Sequence, residues 1–198
     1  MNFLAHAYLS FNQPEILIGN IISDFVKGKA KFNYPVNIQK GITLHRAIDD
    51  FTDNHPATKA AKEFFRPVYR LYSGAFIDVV YDHFLASDEN EFKNEAALKS
   101  FSHQVYNTLD DYYVLLPQRF QNVLPHMKEH DWLFNYRTKS GTYKSFGGLV
   151  HRAAYITESA SAILIFEENY IQLKKYYNSF FPDLKKFSLH FLTNQPLI

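Results

Sequence analysis

Along residues 36–54 apolar side chains return every three or four positions: Ile38, Ile42, Leu44, Ile48 and Phe51. That spacing is the period of an amphipathic helix with one face in a core. The same reading predicts helices almost throughout. PEILIGNIISDFVKG has Pro14 in a first turn, Asn12 near its cap and Gly28 as a stop. Asn54-His55-Pro56 closes the 36–54 pattern. Residues 57–73 follow, with Pro67 expected to kink or divide them. GAFIDVVYDHFLAS, from Gly74, is too apolar for an exposed helix. Residues 92–113 and 117–136 are amphipathic, RTKSGTYKSFGG (137–148) reads as a loop, and two last helices are expected over 149–177 and 182–193. In isolation the β-branched residues of SASAILIF argue for a strand, but their long periodic flanks favour helix. No repeat, low-complexity tract or linker divides the chain, so an all-α, single-domain helical bundle over 1–198 is expected.

Polar residues interrupt these apolar faces. His45 and Asp49 lie one helical turn apart, among Ile42, Leu44, Ala47 and Ile48. Such groups are costly to bury unless they are paired or bind something. An internal His–Asp hydrogen bond answers that cost, and so does a metal. Asp78 and Asp82 are also four apart, flanked by Phe76, Ile77, Val79, Val80, Phe84 and Leu85. Two carboxylates on one buried face repel, and a divalent cation removes the conflict. The adjacent His83 lies roughly 100° further around the helix. Oxygen and imidazole donors of this kind suit Mn2+, Mg2+, Fe2+ or Zn2+ rather than soft copper. His6 and Asn20 are further polar residues in apolar surroundings; Asn20 reads as a structural donor, and Asp24 as a partner for Arg46 or a lysine, or a ligand.

Composition narrows the classes. With 46% hydrophobic and 21% charged residues the 198-residue chain is globular rather than disordered. Its net charge of +1 gives no support to general nucleic-acid binding. The absence of cysteine excludes thiolate catalysis, disulfides and sulfur-ligated zinc. MNFLAHAYLS lacks the basic start and long apolar run of a leader, and no apolar run is long enough to span a bilayer. Mature, cytoplasmic protein is the expectation, with no membrane partner.

Four blocks, MNFLAH, GNIISDFVKG, GITLHRAIDDFTDNHP and DVVYDHFLA, occur in an order and spacing that resembles the acyl carrier protein phosphodiesterase family. That family is an outlying branch of the HD-domain metal phosphohydrolases. The resemblance is strong over roughly the first 90 residues. It implies an HD-domain-like helical fold, a divalent metal with Mn2+ preferred, and hydrolysis of 4′-phosphopantetheine from holo-acyl carrier protein. The family's ligand pattern falls on Asp24, His45, Asp49, Asp82 and His83, with His6 close behind. Ordinary HD enzymes carry a His-Asp doublet, whereas here the order is Asp82-His83.

The residue types suit phosphodiester chemistry. A cation neutralises the anion and lowers the pKa of a bound water. Arg46 offers a bidentate phosphate contact and Lys27 a point charge, while His83 or His55 is a candidate donor to the leaving serine oxygen. Lys27, Lys29, Lys31, Lys40, Arg66 and Arg70 make a candidate basic rim for an acidic carrier protein. Two other readings stand beside this one. A hydrolase of nucleotides or small phosphoesters predicts a closed aromatic pocket. A non-catalytic helical interaction protein predicts no metal uptake and no pocket around Asp24, His45 and Asp82.

Overall fold

The Asn2 side-chain oxygen accepts from the Phe3 amide and opens the first helix, α1 (Phe3–Tyr8). The computed structural model describes residues 1–194, which contain helices and no strand. Pro14, whose missing amide costs nothing in a first turn, starts α2 (Pro14–Ile22). Two 3-10 turns, Ser23–Phe25 and Gly28–Asn33, lead to α3 (Val36–Asn54). His55 ends α3 and caps α4 (Pro56–Tyr69) by accepting from the Ala57 amide at 3.2 Å. A 3-10 turn, Arg70–Tyr72, leads into α5 (Ser73–Ala86). α6 (Glu95–Asp111), three short helices α7 (Gln118–Gln121), α8 (Leu124–Glu129) and α9 (Trp132–Asn135), then α10 (Lys139–Arg152), α11 (Ala160–Glu168) and α12 (Tyr170–Asn194) complete the chain.

Two contacts position everything that follows. α2 and α3 cross with their backbones touching: a Cβ on Gly19 would lie 2.0 Å from the Ile38 carbonyl oxygen, and one on Gly41 2.3 Å from that of Ile16. Only glycine fits at such a crossing. The second contact joins α1 to α5. Asp82 accepts from the Leu4 amide at 2.8 Å and the Ala5 amide at 3.2 Å, so a residue 77 positions away satisfies the first turn of α1. Around α5 the core closes on nearly every side, with Phe76, Ile77, Val80, Tyr81 and Leu85 fully buried. The apolar cluster continues from Met1 to Leu192. No helix among the described residues is long and apolar enough to cross a membrane.

Several elements differ from the sequence expectation. The segment 137–148 is not a loop but most of α10. The Thr138 hydroxyl caps it by accepting from the Gly141 amide at 3.0 Å, and fully buried Phe146 anchors it. Gly141 is required by close packing, since a Cβ there would meet the Asn135 carbonyl oxygen at 2.0 Å. Residues 117–136 break into three short helices, and Asp131 turns the chain with φ 40°. The stretch 149–177 is interrupted between α10 and α11. Pro67 does not divide α4; the chain turns at Arg70, with φ 48°. Pro182 lies inside α12, where Phe180, Phe181 and Leu184 are all buried around it. Each such side chain contributes about 1.5–3 kcal/mol of burial. Together they outweigh a cost of about 3 kcal/mol for a proline inside a helix.

Candidate metal centre

α1, α2 and α3 bring His6, Asn20 and His45 into one buried corner. The imidazoles of His6 and His45 stack with centroids 3.8 Å apart and planes 12° from parallel. One turn along α3 from His45, Asp49 reaches both rings. Its Oδ1 lies 3.3 Å from His6 Nε2 and its Oδ2 3.1 Å from His45 Nε2. One donor atom from each of these three residues falls within 4.8 Å of the others. Asp24, in the turn after α2, adds Oδ1 at 3.4 Å from His45 Nε2. Its side chain is 78% exposed, so the cluster opens to solvent on that edge. On the opposite edge the Met1 amino nitrogen lies 3.1 Å from Asp49 Oδ1 and 3.1 Å from Asp78 Oδ1. Burial works against that ammonium, but the two carboxylates outweigh it and raise its pKa to about 11.

The donor set fits a cation. His45 Nδ1 sits 2.6 Å from the main-chain oxygen of Asn20. A carbonyl oxygen only accepts, so Nδ1 carries the hydrogen and a neutral ring leaves a lone pair on Nε2. That Nε2 is buried and meets no hydrogen-bond partner among the described residues, although two carboxylates lie within 3.4 Å. A lone pair beside carboxylate oxygens is repulsive unless a proton or a metal lies between them. The electrostatics follow from this crowding. Burial, reinforced by the charge of His45, drives His6 down to about 4. Burial also lowers His45, but the carboxylates of Asp24 and Asp49 beside it raise it on balance to about 9. Asp49 resists its own desolvation because the Met1 ammonium and both histidines hold its carboxyl far below the usual range. Ligating histidines characteristically donate their other ring N–H to a carbonyl or carboxylate, as His45 does here.

The structure separates other residues from this cluster. Asp82 caps α1, and burial, the largest influence, pushes its carboxyl up to about 7 against the pull of the Leu4 and Ala5 amides. It thereby supports the helix that carries His6 instead of facing the two rings. His83 points to the other side of α5, with Nδ1 2.8 Å from the Tyr136 carbonyl and Nε2 2.9 Å from the Tyr170 hydroxyl. Five residues on from Asp78, roughly 140° around the helix, it lies away from the residues that Asp78 approaches. His55 is occupied in capping α4. Arg46 is exposed and donates to the Val26 carbonyl at 3.4 Å, which sets its guanidinium beside exposed Lys27. Lys40 bonds the Leu192 carbonyl at 2.8 Å and so belongs to the α3–α12 contact. Beside Asp78 lies a cavity of about 550 Å³, lined by Asp53, Lys62, Arg66 and Arg70 among others.

The family model described as acyl carrier protein phosphodiesterase matches residues 1–184. The chain belongs to the acyl carrier protein phosphodiesterase family. Relatives named acyl carrier protein phosphodiesterase share this span. The protein of Serratia proteamaculans strain 568 is 30% identical over 184 residues, covering 93% of this chain and 95% of the relative. That of Yersinia pestis is 30% identical over 190 residues, covering 96% and 98%. That of Enterobacter sp. strain 638 is 31% identical over 182 residues, covering 92% and 94%. No solved structure gives a significant match.

In this acyl carrier protein phosphodiesterase family member, sequence reasoning undervalued two residues near the centre. Asp78 was visible as one of a like-charged pair, yet the structure turns it to the Met1 amine beside Asp49 while Asp82 serves α1. Asn20 resembled a structural donor, and its contact with two histidines had no sequence signal beyond its polarity in the apolar run ILIGNII.

Proposed function

We propose that this protein hydrolyses the phosphodiester of holo-acyl carrier protein at the His6–His45–Asp49 cluster, releasing 4′-phosphopantetheine and apo-carrier protein. Family membership supports the reaction. The observation that supports the place is the convergence of two imidazole Nε2 atoms on one carboxylate at an edge open to solvent. His6, His45 and Asp49 would hold a divalent cation, Mn2+ in this reading, with Asp24 on the exposed edge as a further oxygen donor. Such a cation neutralises the phosphodiester and lowers the pKa of a bound water. Water adds at phosphorus, the bond between phosphorus and the serine oxygen breaks, and the proton that the water gives up ends on the serine oxygen. Arg46 and Lys27 supply two positive charges at the Asp24 edge, where they attract and orient the anionic diester. Neither His83 nor His55 donates the leaving-group proton, because both are engaged elsewhere.

The folded carrier protein stays outside. Lys29 is exposed and Lys31 half-buried just beyond Lys27, and Arg66 and Arg70 line the cavity on the Asp78 side. These charges flank the cluster on two edges and suit an acidic partner. The lining of that cavity includes no aromatic residue, which favours a protein substrate over a stacked nucleotide. A cytoplasmic enzyme follows from such a substrate. Mass spectrometry of holo-carrier protein incubated with the protein and Mn2+ tests the proposal. Loss of the phosphopantetheine mass is expected, with chelator preventing it. Unchanged holo-carrier protein in the presence of Mn2+ defeats the proposal.

A further inference from the structure

We propose that Asn20 is the positioning residue that holds the hydrogen of both histidines on Nδ1 and so aims two Nε2 atoms at one cation. The inference rests on the metal centre proposed above. Asn20 is completely buried on α2, and two different parts of it touch the two rings. Its main-chain oxygen lies 2.6 Å from His45 Nδ1, and its side-chain Oδ1 lies 2.8 Å from His6 Nδ1.

The orientation of the side-chain amide is fixed by its other end. Nδ2 donates to the His6 carbonyl oxygen at 2.7 Å and to Ser10 Oγ at 3.1 Å. A carbonyl oxygen accepts only, so the NH2 faces it and Oδ1 must face the ring. Ser10 locks the arrangement by donating its own hydroxyl to the His6 carbonyl at 2.8 Å. An acceptor at His6 Nδ1 places the ring hydrogen there. His6 Nε2 faces longer contacts, the Met1 main-chain oxygen at 3.2 Å and Asp49 Oδ1 at 3.3 Å, and that Oδ1 already accepts from the Met1 ammonium at 3.1 Å; the shorter 2.8 Å bond at Nδ1 therefore takes the ring hydrogen and leaves Nε2 bare. Both Nδ1 atoms are thus committed to acceptors on one residue, and both Nε2 atoms face Asp49. An unconstrained imidazole samples either tautomer, and the bond made by one nitrogen decides what the other can bind.

Few side chains meet these demands. Leucine removes the acceptor for His6 Nδ1 and the donor for the His6 carbonyl. Aspartate keeps the acceptor but supplies no donor. The neighbouring Gly19 lets α2 approach α3 closely enough for the Asn20 carbonyl to reach His45.

Long-range ¹H–¹⁵N spectra of histidine-labelled, metal-free, full-length protein at neutral pH test the inference. The wild type is expected to show His6 with hydrogen on Nδ1 and a bare Nε2, and His45 with hydrogen on Nδ1 and, until metal displaces it, on Nε2 as well. Asn20→Ala should return His6 to a mixture of tautomers while His45 keeps its Nδ1 hydrogen, because the main-chain acceptor survives. Mn2+ affinity, read by competition with a fluorescent chelator, should fall roughly 10–100-fold. Asn20→Asp should retain the His6 tautomer. Hydrogen on His6 Nε2 in the wild type overturns the inference, and that measurement needs no variant to fold. An unchanged His6 tautomer and Mn2+ affinity in Asn20→Ala overturn it equally. None of these readings uses carrier protein, so a wrong substrate leaves them intact. A wild type that shows the tautomers but takes up no Mn2+ removes the metal centre and, with it, the aiming role.

Discussion

In the proposed centre metal and proton compete for the same atom, His45 Nε2, and the competition has a calculable size. The metal-free ring has a pKa of about 9 against 6.5 when unperturbed, because Asp24 and Asp49 outweigh the desolvation that lowers it. At pH 7 the ring is therefore protonated, and a cation must displace that proton to bind. Two pH units below the pKa, the cost is about 3 kcal/mol, or roughly a hundredfold in apparent affinity. His6, driven down to about 4, is already neutral and adds no such cost. Mn2+ affinity should rise about tenfold per unit between pH 6 and 8 and level off above about 9. Calorimetric titration in buffers of different ionisation enthalpy should show about one proton released per metal at pH 7. Stability of the metal-free protein should run the other way. A raised pKa stabilises the folded state fully below the unfolded value of 6.5, and that contribution is lost as pH rises through about 9. Chemical denaturation of metal-free protein at pH 6 and pH 9.5 measures it. Metal affinity that is flat from pH 6 to 8, with no proton release, refutes the assignment of His45 Nε2 as a ligand.

Gly19→Ala should force α2 from α3, because the new methyl would lie 2.0 Å from the Ile38 carbonyl oxygen. A cost of about 1–3 kcal/mol lowers Tm by several degrees in calorimetry, and Mn2+ affinity falls with it as His45 loses its acceptor. Asp82→Ala should leave the Leu4 and Ala5 amides unpaired and weaken Mn2+ binding through displacement of His6, at about 1–3 kcal/mol of stability per amide. His83→Ala should lower stability yet leave Mn2+ affinity unchanged, and a chelator competition assay separates the two. Lys29→Glu with Lys31→Glu should lower kcat/KM for holo-carrier protein and flatten its dependence on salt, as rim charges do.

Legibility in the sequence tracked the physics of each signal. The 36–54 period survives as α3 because its apolar stripe is long and continuous. His45 and Asp49 were legible for the same reason, since one helix sets their spacing. The 137–148 segment misled because its three glycines signal a loop, whereas Thr138 capping and the burial of Phe146 decide for helix. The gap expected between 177 and 182 is likewise absent: α12 runs through it, and burial of Phe180, Phe181 and Leu184 overrules the local penalty of Pro182. His83 illustrates a different limit. Adjacent positions on a buried helix face different partners, and only α9 and α12 reveal that His83 belongs to Tyr136 and Tyr170. No pattern within α5 says which of Asp78 and Asp82 meets α1 and which meets the Met1 amine.

The construction of the centre also explains why its supports lie where a sequence reader finds least chemistry. Three donor atoms must be held close although two belong to imidazole rings on separate helices. Packing alone leaves a stacked imidazole free to turn over, because both faces and both edges are of similar shape. Hydrogen bonds at Nδ1 remove that freedom, and they require an acceptor at a fixed depth beside each ring. A main-chain carbonyl is the most rigid acceptor available, but it reaches His45 only if α2 lies against the backbone of α3. Glycines at 19 and 41 meet that condition, at the expense of conformational entropy in the unfolded chain. α1 is only six residues long and too short to be stable by itself, so His6 depends on Asp82 to hold its helix in place. The ligands are therefore no more exacting than the glycines, the asparagine and the buried aspartate behind them. A change in any of these should alter metal affinity before it abolishes the fold.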